Sequence, residues 1–148
     1  MTTTGTHTAN SQYAGDVTPQ QAWEMLQDQA GAVLVDVRTN AEWAYVGLPD
    51  LYSIGKKCEL NSWVLFPQMA PNPNFLPLLN EIQPDKSQPV LFLCRSGVRS
   101  VAAAIAATSA GFENCFNILE GFEGDPDSEG HRGKICGWKV RNLDWKQG

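Results

Sequence analysis

The sequence predicts an α/β domain: a small, mostly parallel β-sheet with helices on both faces. Three observations carry this. First, residues Ala32–Val37, Pro89–Cys94 and Cys115–Leu119 are short apolar runs without polar alternation, the pattern of strands covered on both faces. Second, the alanine-rich stretch Val98–Ala110 separates the last two runs, so strand, helix and strand follow one another within about 30 residues, as in a βαβ unit. Third, apolar runs and helical patterns alternate along the chain, as they do where the sheet is parallel. With 148 residues, 43% of them hydrophobic and 18% charged, the chain is long enough to bury one core.

Taken in order, residues 1–15 are polar, rich in Thr, Ser and Asn, and read as a disordered tail. The domain is expected over 16–148. At Thr18 the pattern changes: Thr18 suits an N-cap, Pro19 the first helical position, and Gln21 the third position of a capping box. Ala22, Trp23, Met25, Leu26 and Ala30 give an apolar stripe that Gly31 ends. A second helix is predicted over Asn74–Ile82, with Phe75, Leu78, Leu79 and Ile82 on one face. A third covers Val98–Ala110, where Val101 and Ile105 stand four apart and Gly111 is the stop. Lys57–Val64 is assigned as a further strand. Beyond about residue 123 lies a C-terminal extension; the helical spacing of Trp138 and Trp145 there suggests aromatic clamps holding the tail on the domain.

Charge and composition exclude several functions. The formal net charge is -5, which argues against nucleic acid as a partner and leaves no polybasic patch for a membrane. No apolar run approaches the roughly 20 residues that span a bilayer. The opening residues have neither a basic nor an apolar signal region, so a cytoplasmic location is expected. The four cysteines, Cys58, Cys94, Cys115 and Cys136, form no C-x-x-C pair and are too sparse for a disulfide scaffold. Cys58, Cys115 and Cys136 are assigned structural roles. His7 and His131 lack metal-ligand company. Asp125–Gly130 imitates the start of a calcium loop, but Cys136 stands where that loop needs its bidentate Glu, so a solvated acidic turn is the reading.

The segment Cys94-Arg95-Ser96-Gly97-Val98-Arg99-Ser100 carries the chemistry. It follows an apolar strand and opens a helix. In open α/β sheets, ligands bind beyond the carboxyl ends of the strands. A tight loop there points backbone N–H groups inward as an anion nest, the helix adds its positive end, and Arg95 and Arg99 add two charges. Gly97 permits the turn. These surroundings favour a thiolate, the form that acts as nucleophile. The plainer reading, a buried cysteine at a strand end, leaves the flanking Gly and Arg residues without a purpose.

The loop resembles the active-site loop of the rhodanese family of sulfurtransferases, a Cys followed by a short loop with Gly in its fourth position. Val35-Asp36-Val37-Arg38, then Glu42-Trp43 and Gly47, resembles the D-V-R...E-[WY/F]...G stretch after that family's first core strand. Together the matches cover about Val17 to Phe122. The resemblance implies a rhodanese-like fold and a sulfurtransferase in which Cys94 takes the sulfane sulfur of a small anionic donor such as thiosulfate, becomes a persulfide, and yields the sulfur to cyanide or to a small or protein thiol. Neither metal nor organic cofactor is implied. Substrate binding falls to Arg95, Ser96, Gly97, Val98 and Arg99: backbone amides cradle the persulfide, and Arg99, then Arg95, anchors the donor.

Two alternatives stand beside this. One is a sulfur-relay or regulatory module with little turnover on small molecules. The other is a cysteine phosphatase or arsenate reductase, which needs a Cys, five intervening residues and an Arg; here that position holds Ser100. Asp36 and Arg38 are assigned to the pocket or to scaffolding, the preferred scaffold having Asp36 on loop amides and Arg38 paired with Glu42. After Gly47 the sequence departs from the family's usual Gly-His-Ile-Pro-Gly-Ala. The aromatic excursion over 48–74 is read either as a pocket rim that selects the acceptor or as a self-packed surface loop.

Overall fold

A computed structural model of the chain describes residues 12–65, 68–94, 98–122, 128, 137–138, 143 and 145–146. Among them are β1 (Gly15–Val17), α1 (Pro19–Asp28), β2 (Val33–Asp36), α2 (Asn40–Tyr45), β3 (Leu48–Pro49), a 3-10 turn (Tyr52–Ile54), β4 (Glu59–Leu60), β5 (Val64–Leu65) and β6 (Ala70–Pro71). They continue with α3 (Phe75–Ile82), β7 (Val90–Leu93), α4 (Val98–Ser109), β8 (Cys115–Ile118) and β9 (Trp145–Lys146). The expected α/β architecture is present. A five-stranded sheet runs in the order β1-β8-β7-β2-β4, and each of its pairings is parallel.

Period-two alternation divides each central strand between two cores. Val35, Val37, Val90, Phe92 and Cys94 face α3 and α4, meeting Phe75, Leu79, Ala103, Ala104 and Ala107. Leu34, Leu91, Leu93 and Ile118 face α1 through Ala22 and Leu26. The unalternating apolar runs are thus the two-sided burial of interior strands. Small alanines on α4 bring that helix close to the sheet, while α1 is fixed at its start by the reciprocal box of Thr18 and Gln21. Gly111 ends the α4 segment at φ 105°, a conformation open to glycine without a Cβ clash. No helix among the described residues is long and apolar enough to cross a membrane.

Three elements differ from expectation. The strand expected over Lys57–Val64 is two: β4, which edges the parallel sheet beside β2, and β5, which pairs antiparallel with β6. Asn61 breaks the run, because its side-chain amide leaves the sheet to donate to the Phe75 carbonyl at 3.0 Å. The segment containing α2 is helical, begun by a second capping box between Thr39 and Glu42. Finally, Trp138 and Trp145 share no helix: Trp138 lies in a turn and Trp145 in β9, which pairs antiparallel with β3.

Both tryptophans nevertheless pack on the domain. Trp138 is fully buried in the α1-side core with its ring centroid 6.0 Å from that of Trp23, and Trp145 meets Phe122 edge-on. The sequence beyond residue 123 therefore completes a core begun before residue 30. The solvated acidic turn expected at Asp125–Gly130, with His7, His131 and Cys136, falls on or against residues outside those described. Replacing Trp138 by Ala is expected to lower unfolding stability by about 3–5 kcal/mol, read from urea denaturation. A change within about 0.5 kcal/mol, typical of exposed positions, contradicts this packing.

Candidate functional site

Cys94 follows β7, the middle strand of the sheet, at its carboxyl end. Its side chain is 1% exposed. Two neighbours hold the backbone there: Val37 N–H donates to the Leu93 carbonyl and Phe122 N–H to the Cys94 carbonyl, each at 2.8 Å. The second bond depends on a reversal at Glu120 and Gly121, both with positive φ. For Glu120 this left-handed geometry costs about 1–2 kcal/mol. Its carboxylate meanwhile accepts from the Gly137 N–H at 2.7 Å, tying the reversal to the Trp138 segment.

Of the loop residues expected to bind substrate, Arg95, Ser96 and Gly97 lie outside the described residues. Val98 opens α4. Arg99, in the first turn of α4, extends to α2 and forms a bidentate pair with Glu42, both contacts at 2.9 Å. Burial works to lower the Arg99 pKa, but the bond and charge of Glu42, with a contribution from Cys94, raise it on balance. Arg99 is thus a permanent cation within electrostatic reach of the sulfur. Burial works to raise Glu42; the bonds from Arg99 and Thr39 outweigh it and hold that carboxyl below its usual value.

The scaffold pairing differs from the expected one. Arg38 bonds to Asp36, its Nε at 2.8 Å and its Nη2 at 2.6 Å from the carboxylate oxygens, and both side chains are fully buried. Nη2 also donates to the Gly47 carbonyl at 2.7 Å, and the guanidinium lies 4.4 Å from the centroid of Phe122. Glu42 goes to Arg99 instead. The four-residue spacing of Arg38 and Glu42 suits a helical pair, but Arg38 lies before the helix. Asp36, two residues away on an extended segment, shares its face. Burial would lower the Arg38 pKa; the bonds and charge of Asp36 raise it.

Three site neighbours were not singled out by residue type: Ser100, Asn117 and Asp16. Ser100 Oγ lies 3.2 Å from Cys94 Sγ and 2.5 Å from Asn117 Oδ1. Asn117 Nδ2 donates to Asp16 Oδ1 at 3.1 Å, which also accepts from the Tyr13 hydroxyl at 2.8 Å. One signal existed: Asn117 is the lone polar residue inside the apolar run Cys115–Leu119, and a buried amide requires partners. The other described cysteines are poor nucleophiles. Burial pushes the Cys58 thiol well up and that of Cys115 to about 11, while Cys115 pairs in register with Val90, at the far end of β7 from Cys94. No cluster of potential metal ligands occurs among the described residues.

The chain is similar to several known proteins. A family model for the rhodanese-like domain matches residues 18–125. The crystal structure of Rv0390 from M. tuberculosis superimposes with a TM-score of 0.84 at 51% identity, covering 92% of this chain and 99% of that one. An uncharacterized protein of Rickettsia rickettsii is 42% identical over 127 residues, 85% of this chain and 92% of its own. The thiosulfate sulfurtransferase GlpE of Haemophilus influenzae is 32% identical over 109 residues, covering 74% of this chain and 85% of that protein.

Two stability effects follow from the ion pairs. Asp36→Asn leaves the Arg38 charge buried without its counter-charge and is expected to destabilise by about 3–5 kcal/mol, measured by denaturant titration. Glu42 behaves differently because its folded pKa is depressed. Its contribution is complete above the unfolded value of about 4.3 and disappears as pH falls through the lower, folded value. Glu42→Gln is therefore expected to cost about 1–2 kcal/mol at neutral pH and progressively less in acid. A penalty that persists unchanged at pH 2 contradicts the pairing.

Proposed function

The chain belongs to the rhodanese-like domain family, and on that premise we propose that it transfers sulfane sulfur from an anionic donor, of which thiosulfate is the test case, to a thiophilic acceptor through a Cys94 persulfide. The observation that carries this reading is the placement of the Cys94 sulfur: at the carboxyl end of the central strand, directly before α4, with the Arg99 cation in electrostatic reach. The Haemophilus relative named for thiosulfate supports the choice of donor.

In the first step, the Cys94 thiolate attacks the outer sulfur of thiosulfate. A sulfur–sulfur bond forms, the bond to the sulfonate group breaks with its electron pair, and sulfite leaves. In the second, a nucleophile such as cyanide takes the outer sulfur and Cys94 departs as a thiolate, the ping-pong course of covalent catalysis. Charge balances in both steps without an external oxidant or reductant. The backbone amides of residues 95–99 serve the terminal sulfur anion as an oxyanion hole serves oxygen. Arg99, immobilised by Glu42, supplies a fixed positive field for the donor, with Arg95 as second anchor. Asp36 and Arg38 act through the scaffold. The phosphatase alternative loses support because the position that would require an Arg holds Ser100, whose hydroxyl lies against the sulfur.

Brief thiosulfate treatment followed by intact-protein mass spectrometry is expected to show one added sulfur, mapped to Cys94, and cyanide should release it as thiocyanate. Cys94→Ser should fold and acquire none; sulfur retained by that variant overturns the assignment. Repeated turnover with cyanide marks a catalyst, whereas a single stable loading marks a relay domain awaiting a protein thiol.

A further inference from the structure

We propose that a hydrogen-bond chain from Tyr13 to Ser100, buried at its Asn117–Ser100 end, holds the resting Cys94 as a proton-donating thiol, and that ionisation of the thiol requires the Ser100 hydroxyl to release Asn117. Its functional meaning rests on the reading of Cys94 as the sulfur carrier.

The argument follows the protons. A carboxylate only accepts hydrogen bonds. Asp16 Oδ1 receives the Tyr13 hydroxyl at 2.8 Å and Asn117 Nδ2 at 3.1 Å. Tyr13 keeps its proton, since burial and then the bond and charge of Asp16 push its pKa to about 12. The contact with Asp16 fixes which way the Asn117 amide points: its nitrogen must face the carboxylate, so its oxygen faces Ser100. That oxygen is an acceptor only. The single Ser100 hydroxyl proton is therefore committed to Asn117 across 2.5 Å, and Ser100 presents a lone pair to the sulfur 3.2 Å away. The thiol is the form of Cys94 that can use this lone pair, because it supplies a proton. A thiolate meets lone pair with lone pair until Ser100 rotates. Bonds to the neutral form disfavour ionisation.

The arrangement is built into the sheet. Asp16, Asn117 and Phe92 are register neighbours on β1, β8 and β7, and Ser100 and Asn117 are buried. Asp16 from β1 belongs to this chain of bonds, and Arg99 from α4, paired with Glu42 from α2, acts electrostatically on the sulfur. Asp36 and Arg38 extend to the opposite face, where Arg38 meets Phe122.

The test is the pH dependence of Cys94 alkylation by iodoacetamide, read at the Cys94 peptide by mass spectrometry. Asn117→Ala removes the acceptor and frees the Ser100 proton for the sulfur. The midpoint is expected to fall by about one pH unit, which is about tenfold more thiolate on the acid side. In a Ser100→Ala background, Asn117→Ala should produce no shift. Asp16→Ala lets the Asn117 amide reverse and is expected to act in the same direction; lying on an edge strand, it also serves if Asn117→Ala fails to fold. Asp16→Asn removes the charge yet keeps an acceptor oxygen, so Asp16→Ala must exceed it. A midpoint that is unmoved or raised in Asn117→Ala, or equal in the two Asp16 variants, overturns the proposal. Thiosulfate loading separates the two readings: a shifted midpoint without loading removes sulfur transfer and leaves the proton assignment, whereas loading with an unmoved midpoint does the reverse.

Discussion

The buried guanidinium of Arg38 is the interaction on which the carboxyl end of the sheet depends. It is held from three directions: by Asp36 at the end of β2, by the Gly47 carbonyl at the exit of α2, and by the face of Phe122 after β8. Phe122 in turn donates its amide to the Cys94 carbonyl. The charge thereby connects three segments distant in sequence and places the end of β7 among them. Removing two ions from water is expensive, and a pair of this kind contributes specificity of arrangement more than net stability. Asp36 and Arg38 do this from the sheet face opposite the sulfur, so their influence on the reactive group passes through the backbone.

On the other face, the sulfur is governed by a different economy of groups. Its nearest polar side chain is neutral and is oriented by further neutral or anionic groups, whereas its nearest described cation is clamped by a carboxylate. On the proposed reading, such a site restrains Cys94 at rest. Once the sulfur carries no proton, Ser100 can turn its hydroxyl toward it only by releasing the Asn117 oxygen. A persulfide, whose inner sulfur bears no hydrogen, stands in the same relation to Ser100 as a thiolate. On the proposed reading, the network distinguishes the empty protonated state from the thiolate and the persulfide by the position of one hydroxyl hydrogen.

How much of this was legible in the sequence depended on the range of the interactions. The Thr18–Gln21 box, the interior strands and the alanine helix are local patterns or two-sided apolar runs, and they were readable to within a residue or two. Strands of two or three residues, such as Gly15–Val17, Glu59–Leu60 and Trp145–Lys146, carry no such pattern; their pairing is decided by what the chain meets after folding. Thr39 and Glu42 did spell out a cap, but the helix they start has only six residues and no apolar periodicity to reveal it. At the site, Cys94 and Arg99 were marked by their motif. The Ser100–Asn117–Asp16 contacts span 17 and 101 positions and arise from strand register, which composition does not encode. Arg38 was paired with Glu42 as a common charged pair at a strand end, but the chain there is still extended, and strand spacing would have found Asp36.

The contact between Trp23 and Trp138 has a spectroscopic consequence. Two indole rings with centroids 6.0 Å apart, inclined at 56°, form a chiral pair of coupled chromophores, one from the start of the domain and one from its last segment. Their coupling is expected to give the folded protein an exciton contribution in circular dichroism that requires the C-terminal segment to be docked. Docking is thereby visible in the protein's own absorption, without a label and without any reference to the chemistry of the sulfur.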